Sequence, residues 1–164
     1  MMNQLEVDNF QLLFENNTPL MDVRAPVEYS RGSFPSSINA PLMTDNERHL
    51  VGRNFKKNGQ LSAIELGNQL VSGKIKKQRI DNWMNFINQN PSGVLYCFRG
   101  GLRSVIAQQW IFDYSGITYP RVKGGYKAMR HYLIEESNRI TNSLSLINIS
   151  EPTRRYAISY DVFC

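Results

Sequence analysis

The stretch Tyr96-Cys97-Phe98-Arg99-Gly100-Gly101-Leu102-Arg103-Ser104 constrains the fold more than any other part of the chain. It stands between an apolar run, Gly93-Val94-Leu95-Tyr96, that reads as a short buried strand, and residues 105–112, which read as helix. A strand that passes through two glycines into a helix places Cys97 at the strand's carboxyl end, with a curled loop behind it. Successive N–H groups of such a loop, beside a helix N-terminus, form a nest for an anion. The same field favours thiolate over thiol. Arg99 and Arg103 add positive charge on either side. Cys97 therefore reads as a nucleophile or as a carrier of a sulfur-family atom. A free cysteine is more often a packing residue, but packing needs no Gly-Gly-x-Arg-Ser behind it.

The 164 residues suffice for one domain with its own core. With 41% hydrophobic and 20% charged residues the chain is globular rather than disordered. No apolar run approaches the ~20 residues that cross a bilayer, so no membrane is expected. The start, Met1-Met2-Asn3-Gln4-Leu5-Glu6, lacks the basic-then-apolar pattern of a secretory signal, which favours the cytoplasm. Cys97 and Cys164 are far apart, and His49 and His131 have no ligand-spaced partners. Neither a disulfide framework nor a metal site is expected. The formal net charge of +5 is compatible with nucleic acid without establishing it.

Val7, Phe10, Leu13 and Phe14 have helical spacing and predict an opening amphipathic helix. Leu20-Met21-Asp22-Val23-Arg24 predicts a buried strand, and Ala25-Pro26-Val27-Glu28-Tyr29 a short helix with proline in its first turn. Ile38-Asn39-Ala40-Pro41-Leu42 predicts another strand and its exit. Thr44-Asp45-Asn46-Glu47 has the capping-box form and predicts a helix running to Gly59. A second helix follows from Leu61 to a stop at Gly73, and a third from Ile75 to Ile87. This insertion, 44–90, carries Arg48, Arg53, Lys56, Lys57, Lys74, Lys76, Lys77 and Arg79 against one acid between its outermost arginines, Glu65. Such a run is by default a solvated face. Residues 117–122 predict a strand, Lys123-Gly124-Gly125 a tight turn, and 126–134 a last helix. Strands alternating with helices predict an α/β fold, a mostly parallel sheet covered on both faces. Ligands of such sheets sit at the carboxyl ends of the strands. After residue 137 the chain turns polar and aperiodic. Residues 138–164 read as a weakly folded tail, with a non-native origin as one alternative. Within it 157–164 could form a strand, and Cys164 reads as incidental.

Several of these residues resemble the rhodanese domain: Asp22-Val23-Arg24, Glu28-Tyr29, Gly32-Ser33-Phe34-Pro35 with Ile38-Asn39-Ala40-Pro41, and the Cys97 loop. More narrowly, residues 1–137 resemble the N-terminal part of the tRNA 2-selenouridine synthase family. That match rests on 20–28, on Glu47-Arg48 through Phe55-Lys56 to Gly59, on the Cys-x-Arg-Gly-Gly-x-Arg-Ser loop, and on Gly124-Gly125-Tyr126-Lys127-Ala128-Met129-Arg130. The resemblance implies a rhodanese-like three-layer fold and a transferase acting on 2-thiouridine at the wobble position of tRNA. Selenium would replace sulfur, with selenophosphate as donor, and a geranyl group from geranyl diphosphate could be attached to that sulfur; no bound cofactor is implied. Cys97 would carry the chalcogen or join directly in the exchange. The loop Phe98, Arg99, Gly100, Gly101, Leu102, Arg103 and Ser104 would hold the anionic species. Asp22, Arg24 and Glu28 would support the loop, Arg103 bonding to Asp22 or Glu28. The basic face of the insertion would then track tRNA phosphates. The family continues into a P-loop domain whose Gly-x-x-x-x-Gly-Lys-Ser/Thr motif does not occur in these 164 residues. That half would have to be supplied in cis or in trans for full activity.

Other readings stay open on the sequence. Five residues separate Cys97 from Arg103, where simple rhodaneses usually have four. Five is the spacing of cysteine-dependent phosphatases and arsenate reductases, whose wider loop encloses phosphate. Against that, Tyr96 stands where many such phosphatases have histidine, and no aspartate is evidently placed as general acid. A thiosulfate or persulfide sulfurtransferase is a second alternative. A non-catalytic RNA-binding module is a third.

Overall fold

The computed structural model describes residues 5–150, with side chains as far as Ser143. The elements in chain order are β1 (Glu6–Val7), α1 (Phe10–Glu15), β2 (Leu20–Asp22), α2 (Pro26–Ser30), β3 (Ser37–Asn39), α3 (Asp45–Leu70), α4 (Gly73–Gln89), β4 (Val94–Tyr96), α5 (Leu102–Ser115), β5 (Arg121–Val122) and α6 (Gly125–Ser150). The five strands form one parallel sheet in the order β1-β5-β4-β2-β3. β4 is central, flanked by β5 and β2. After β2 the chain moves to one edge of the sheet, and after β4 toward the other. The crevice at the carboxyl ends of β2 and β4 is therefore the topological switch point, where open α/β sheets bind ligands.

Both faces of the sheet are buried, and the strands show it by alternation. Along β4, Val94 and Tyr96 join one apolar cluster while Leu95 and Cys97 join the other. Along β2 and its exit, Leu20 falls on the first side and Met21 and Val23 on the second. One face is covered by α4, through Ile80, Trp83, Phe86 and Ile87, and by α5, through Ala107 and Ile111. The other is covered by Leu13 of α1 and Met129 of α6. Trp83 is completely buried, and its indole N–H donates to the Ala40 carbonyl at 2.8 Å.

Several expectations change. Val7 belongs to β1, where it pairs with Val122, and the helix begins only at Phe10. Asn9 decides this, because its side chain accepts the Leu12 N–H at 3.1 Å as an N-cap. Of the strand expected over 117–122, only Arg121–Val122 is strand. Pro120 has no N–H for a ladder and serves as an acceptor instead, its carbonyl taking the Leu95 N–H at 2.9 Å. Gly73, expected as a stop, has φ 53° and opens α4.

The first two helices expected in the insertion form a hairpin within α3, broken at Gly59, whose φ of 84° and ψ of −174° end any helix. Asn54 staples the halves by donating to the Ser62 carbonyl at 3.2 Å and accepting from the Ser62 hydroxyl at 3.2 Å. The described residues divide into two units, one ending at Arg130 and the other beginning at His131. Within the second, α6 continues to Ser150 where a weakly folded tail is expected. The hydroxyls there are accommodated within the helix by bonding back one turn: Thr141 donates to the Ser137 carbonyl and Ser143 to the Arg139 carbonyl, both at 2.9 Å. The strand expected over 157–164, and Cys164, lie outside the described residues. Among the described residues, no helix is long and apolar enough to cross a membrane.

Replacing Trp83 with alanine removes the largest buried side chain under the sheet and the partner of the Ala40 carbonyl. A loss of about 3–5 kcal/mol in urea unfolding is expected. A loss below about 1 kcal/mol would show that α4 is not packed on the sheet.

Candidate active site

Cys97 follows β4 at its carboxyl end and is 3% exposed. The loop behind it is held from outside by its carbonyl groups. The Tyr126 N–H donates to the Cys97 carbonyl at 2.9 Å and the Lys127 N–H to the Phe98 carbonyl at 3.0 Å. Arg121 of β5 donates to the Gly100 carbonyl at 2.7 Å and is itself paired with Glu6 at 2.5 Å. With those carbonyls turned outward, the N–H groups of Arg99, Gly100 and Gly101 meet no acceptor among the described residues. Of these residues Arg99 and Gly101 line the cleft, so their N–H groups are donors that an anion there can use.

Two glycines make this contact possible. Gly100, at φ 65°, would drive a Cβ to 2.6 Å from the Gly124 nitrogen. A Cβ on Gly125, at φ 57°, would collide with the Cys97 carbonyl oxygen. The Cys97 loop and the Gly124-Gly125-Tyr126-Lys127 turn are thus two halves of one backbone contact. Ser104, fully buried, lies with its hydroxyl oxygen 3.4 Å from Cys97 Sγ and donates to the Gly101 carbonyl at 2.8 Å.

Above the loop opens a cleft of about 530 Å³ lined by Cys97, Phe98, Gly101, Leu102 and Tyr126. Five arginines, Arg24, Arg31, Arg48, Arg99 and Arg103, line it with one carboxylate, Glu28.

A parallel sheet with a cysteine loop at the end of its central strand is the arrangement the rhodanese resemblance implies, and the comparisons agree. The family model "Rhodanese-like domain" matches residues 6–131. The chain belongs to that family. A tRNA 2-selenouridine synthase from Marinobacter nauticus is 62% identical over 135 residues, 82% of this chain and 36% of the relative. One from Pseudomonas putida (strain GB-1) is 56% identical over 131 residues, 80% of this chain and 35% of the relative. The matched portion is their N-terminal part, so this chain spans about a third of the length of these curated relatives. A crystal structure described as the N-terminal domain of an ATP/GTP binding protein from Clostridium difficile 630 superposes with a TM-score of 0.64 at 26% identity. It covers 80% of this chain and 98% of that one.

In this rhodanese-like domain the sequence-predicted support residues divide into two ion pairs. Arg24 forks onto Asp22, with contacts of 2.6–3.0 Å, donates to the Gly32 carbonyl at 2.8 Å, and lies over the Tyr126 ring at 4.0 Å. Asp22 being so engaged, Arg103 takes the other expected partner, Glu28, at 2.6 and 3.2 Å. Arg48 reaches the same carboxylate at 3.0 Å. Burial alone would raise the Glu28 pKa, but the hydrogen bond and charge of Arg103, with Arg48 behind them, hold it below the usual carboxylate range. Burial likewise disfavours the Arg24 charge, and Asp22 outweighs it to leave the guanidinium pKa raised. Tyr96 faces the opposite side of the sheet from Cys97, and burial, then the charge of Asp22, push its phenol up.

The basic insertion is not one face. Arg48 belongs to the cleft, Arg79 is paired with Glu47 at 3.6 Å, and Lys76 covers the Trp110 ring at 4.3 Å. Arg53, Lys56 and Lys57 are exposed on α3, and Lys74 and Lys77 on α4. Sequence reasoning assigned no role to Arg31, Arg121, Gly125 or Tyr126. The Gly124-Gly125-Tyr126 string was visible as a mark of resemblance, and its contact with the Cys97 loop is the physical reason for it.

Two outcomes are expected. Because the Glu28 pKa is depressed, its contribution to stability is complete above the unfolded value of about 4.3 and is lost as pH falls through the lower folded value. Glu28→Gln should lower stability by about 1–2 kcal/mol at neutral pH, discounted for the partly exposed arginines, and by much less near pH 3. An equal loss at both pH values, read by urea unfolding, would contradict the pairing. Gly125→Ala should abolish Cys97 alkylation kinetics of the native type while α4 and α5 keep their helical circular dichroism; unchanged kinetics would refute the backbone contact.

Proposed function

We propose that this chain is the cysteine-bearing part of a tRNA 2-selenouridine synthase, exchanging sulfur for selenium at wobble 2-thiouridine. The observation that carries the reading is the position of Cys97, at the floor of a cleft with five arginines and a loop whose N–H groups face no protein acceptor. The names and identities of the relatives support it. Cys97 is the nucleophile that joins directly in the exchange. Its thiolate attacks the phosphorus of selenophosphate, the P–Se bond breaks, and hydrogen selenide leaves and displaces hydrogen sulfide at C2 of the thiouridine. Water returns the S-phosphocysteine to thiol and phosphate. The loop 98–104 holds the phosphate oxygens of selenophosphate, and Arg103 fixes the loop through Glu28. tRNA is the acceptor, tracked by the exposed lysines and arginines of the insertion. Geranyl diphosphate is the second co-substrate of this reading, and the P-loop half of the longer relatives completes the activity in cis or in trans. The work is done in the cytoplasm, where tRNA is modified.

The phosphatase alternative loses support at Glu28. A general acid must be protonated to serve a leaving group, and the one carboxylate lining the cleft is held ionised by Arg103 and Arg48.

Cys97→Ser should abolish loading of labelled selenium from selenophosphate onto tRNA, assayed with the P-loop half present, while leaving the unfolding midpoint within about 0.5 kcal/mol of wild type. Loading that persists would sink the assignment. Reversing Lys57, Lys74 and Lys77 to glutamate should weaken tRNA binding and flatten its salt dependence by about one unit of log–log slope per lost phosphate contact. An unchanged slope would return those lysines to a solvated face.

A further inference from the structure

Ser104 is fully buried, yet its hydroxyl oxygen stands 3.4 Å from Cys97 Sγ. Cys97 lines the cationic cleft and Ser104 does not, so the serine meets the sulfur from the protein side. An anion bound above the loop can feel its hydroxyl only through Cys97. The serine is held there by the first turn of α5.

The hydrogen bonds around it are redundant at one point. The Gly101 carbonyl accepts from the Ser104 N–H at 3.0 Å and from the Val105 N–H at 3.2 Å. A carbonyl oxygen has two lone pairs, and these two donors suffice for them. The Ser104 hydroxyl is a third donor, at 2.8 Å, that the carbonyl does not need. A hydroxyl carries one proton and rotates to suit its neighbours. While Cys97 is a thiol, its S–H donates to Ser104 Oγ and the serine proton lies on Gly101. Once the thiol proton has left to solvent in the cleft, the sulfur only accepts. The serine proton can then turn to it, and the carbonyl keeps both N–H donors.

We infer that Ser104 is a positioning residue that switches its one proton between the Gly101 carbonyl and the Cys97 sulfur, and so favours the thiolate. This rests on the proposed role of Cys97 as nucleophile and adds the group that holds its charge from behind. The hydroxyl turns without giving up its proton. It serves the reaction twice, because the sulfur is anionic before it attacks phosphorus and again when water displaces it from the S-phosphocysteine. The other charged or titratable groups on the cleft side are Arg24, Arg31, Arg48, Arg99, Arg103, Glu28 and Tyr126. On the core side Cys97 joins an apolar cluster with Met21, Val23, Leu42 and Ala107. Ser104→Ala removes none of these, so it isolates the hydroxyl.

The test follows alkylation of the 164-residue chain by iodoacetamide, a neutral reagent, as a function of pH. Mass spectrometry reads the Cys97 peptide apart from that of Cys164. Ser104→Ala deletes one oxygen and alanine favours helix, so the variant should fold. Its pH of half-maximal rate should rise by about one unit, which is about a tenfold loss of rate well below the midpoint. Its limiting rate at high pH should not fall. Ser104→Thr restores a hydroxyl and should bring the midpoint back toward wild type. An unmoved midpoint in Ser104→Ala would overturn the inference. So would an equal loss at every pH, the result of a merely structural serine, or a rise that a folded Ser104→Thr leaves in place. Alkylation needs no selenophosphate, so the two claims fail separately. A shifted midpoint in a chain that loads no selenium with the P-loop half present would sink the proposed function alone, and an unmoved midpoint in a chain that loads it would sink the role of Ser104 alone.

Discussion

The Cys97 loop depends on where its carbonyl groups go. Each peptide unit carries one donor and one acceptor, and burying either without a partner is unfavourable. Here the first turn of α6 and the Arg121 guanidinium take the acceptors of Cys97, Phe98 and Gly100. The N–H groups of Arg99, Gly100 and Gly101 are left without an acceptor among the described residues. No side-chain cation could arrange this alone, because the polarity of the loop is set by which way its peptide planes are turned. Gly100 and Gly125 lack the Cβ atoms that would push the two segments apart. The parallel sheet serves the same end, since it brings β4 and β5 side by side so that the turns following them meet.

Charge in the cleft is arranged around that loop. Asp22 and Arg24 form a closed pair, both almost wholly buried. Such a pair contributes little net field, and its value lies in holding the Arg24 guanidinium over the ring of Tyr126, whose N–H grips Cys97. Glu28 works differently. One carboxylate oxygen accepts from Arg103, Arg48 and the Ala25 N–H. One negative charge is shared by two arginines, and Arg31 and Arg99 add to the surplus. The cleft stays cationic although its nearest carboxylate is fully engaged.

What was legible in the sequence was local. The strand, the two glycines and the helix around Cys97 lie within twenty residues, and their order fixes where the thiol must stand. The apolar run Gly93-Val94-Leu95-Tyr96 reads as a short buried strand, and both faces of β4 are buried. Arg103 was tied to Asp22 or Glu28, and the choice needed the structure, because Asp22 is consumed by a residue two positions away. Arg121 and Tyr126 were not legible as site residues. Arg121 acts on Gly100 from a neighbouring strand, and Tyr126 acts through its backbone N–H, which every residue but proline carries. The spacing of Val7 to Phe10 fits a helix, while the start of α1 is set by the Asn9 side chain capping Leu12, a contact that spacing does not show.

The insertion shows why counting charges along a chain misleads. Eight cations between Arg48 and Arg79 suggest one electropositive face, but a helix that breaks at Gly59 cannot present one. Arg48 leaves the series at its first position, because the Thr44 cap and the first turn of α3 bring it within 3.0 Å of Glu28. Lys76 and Arg79 leave it at the other end for Trp110 and Glu47. The exposed remainder lies on two helices rather than one. Of the insertion's cations the one that lines the Cys97 cleft is thus Arg48, and the capping box at Thr44, a local signal, is what delivers it there.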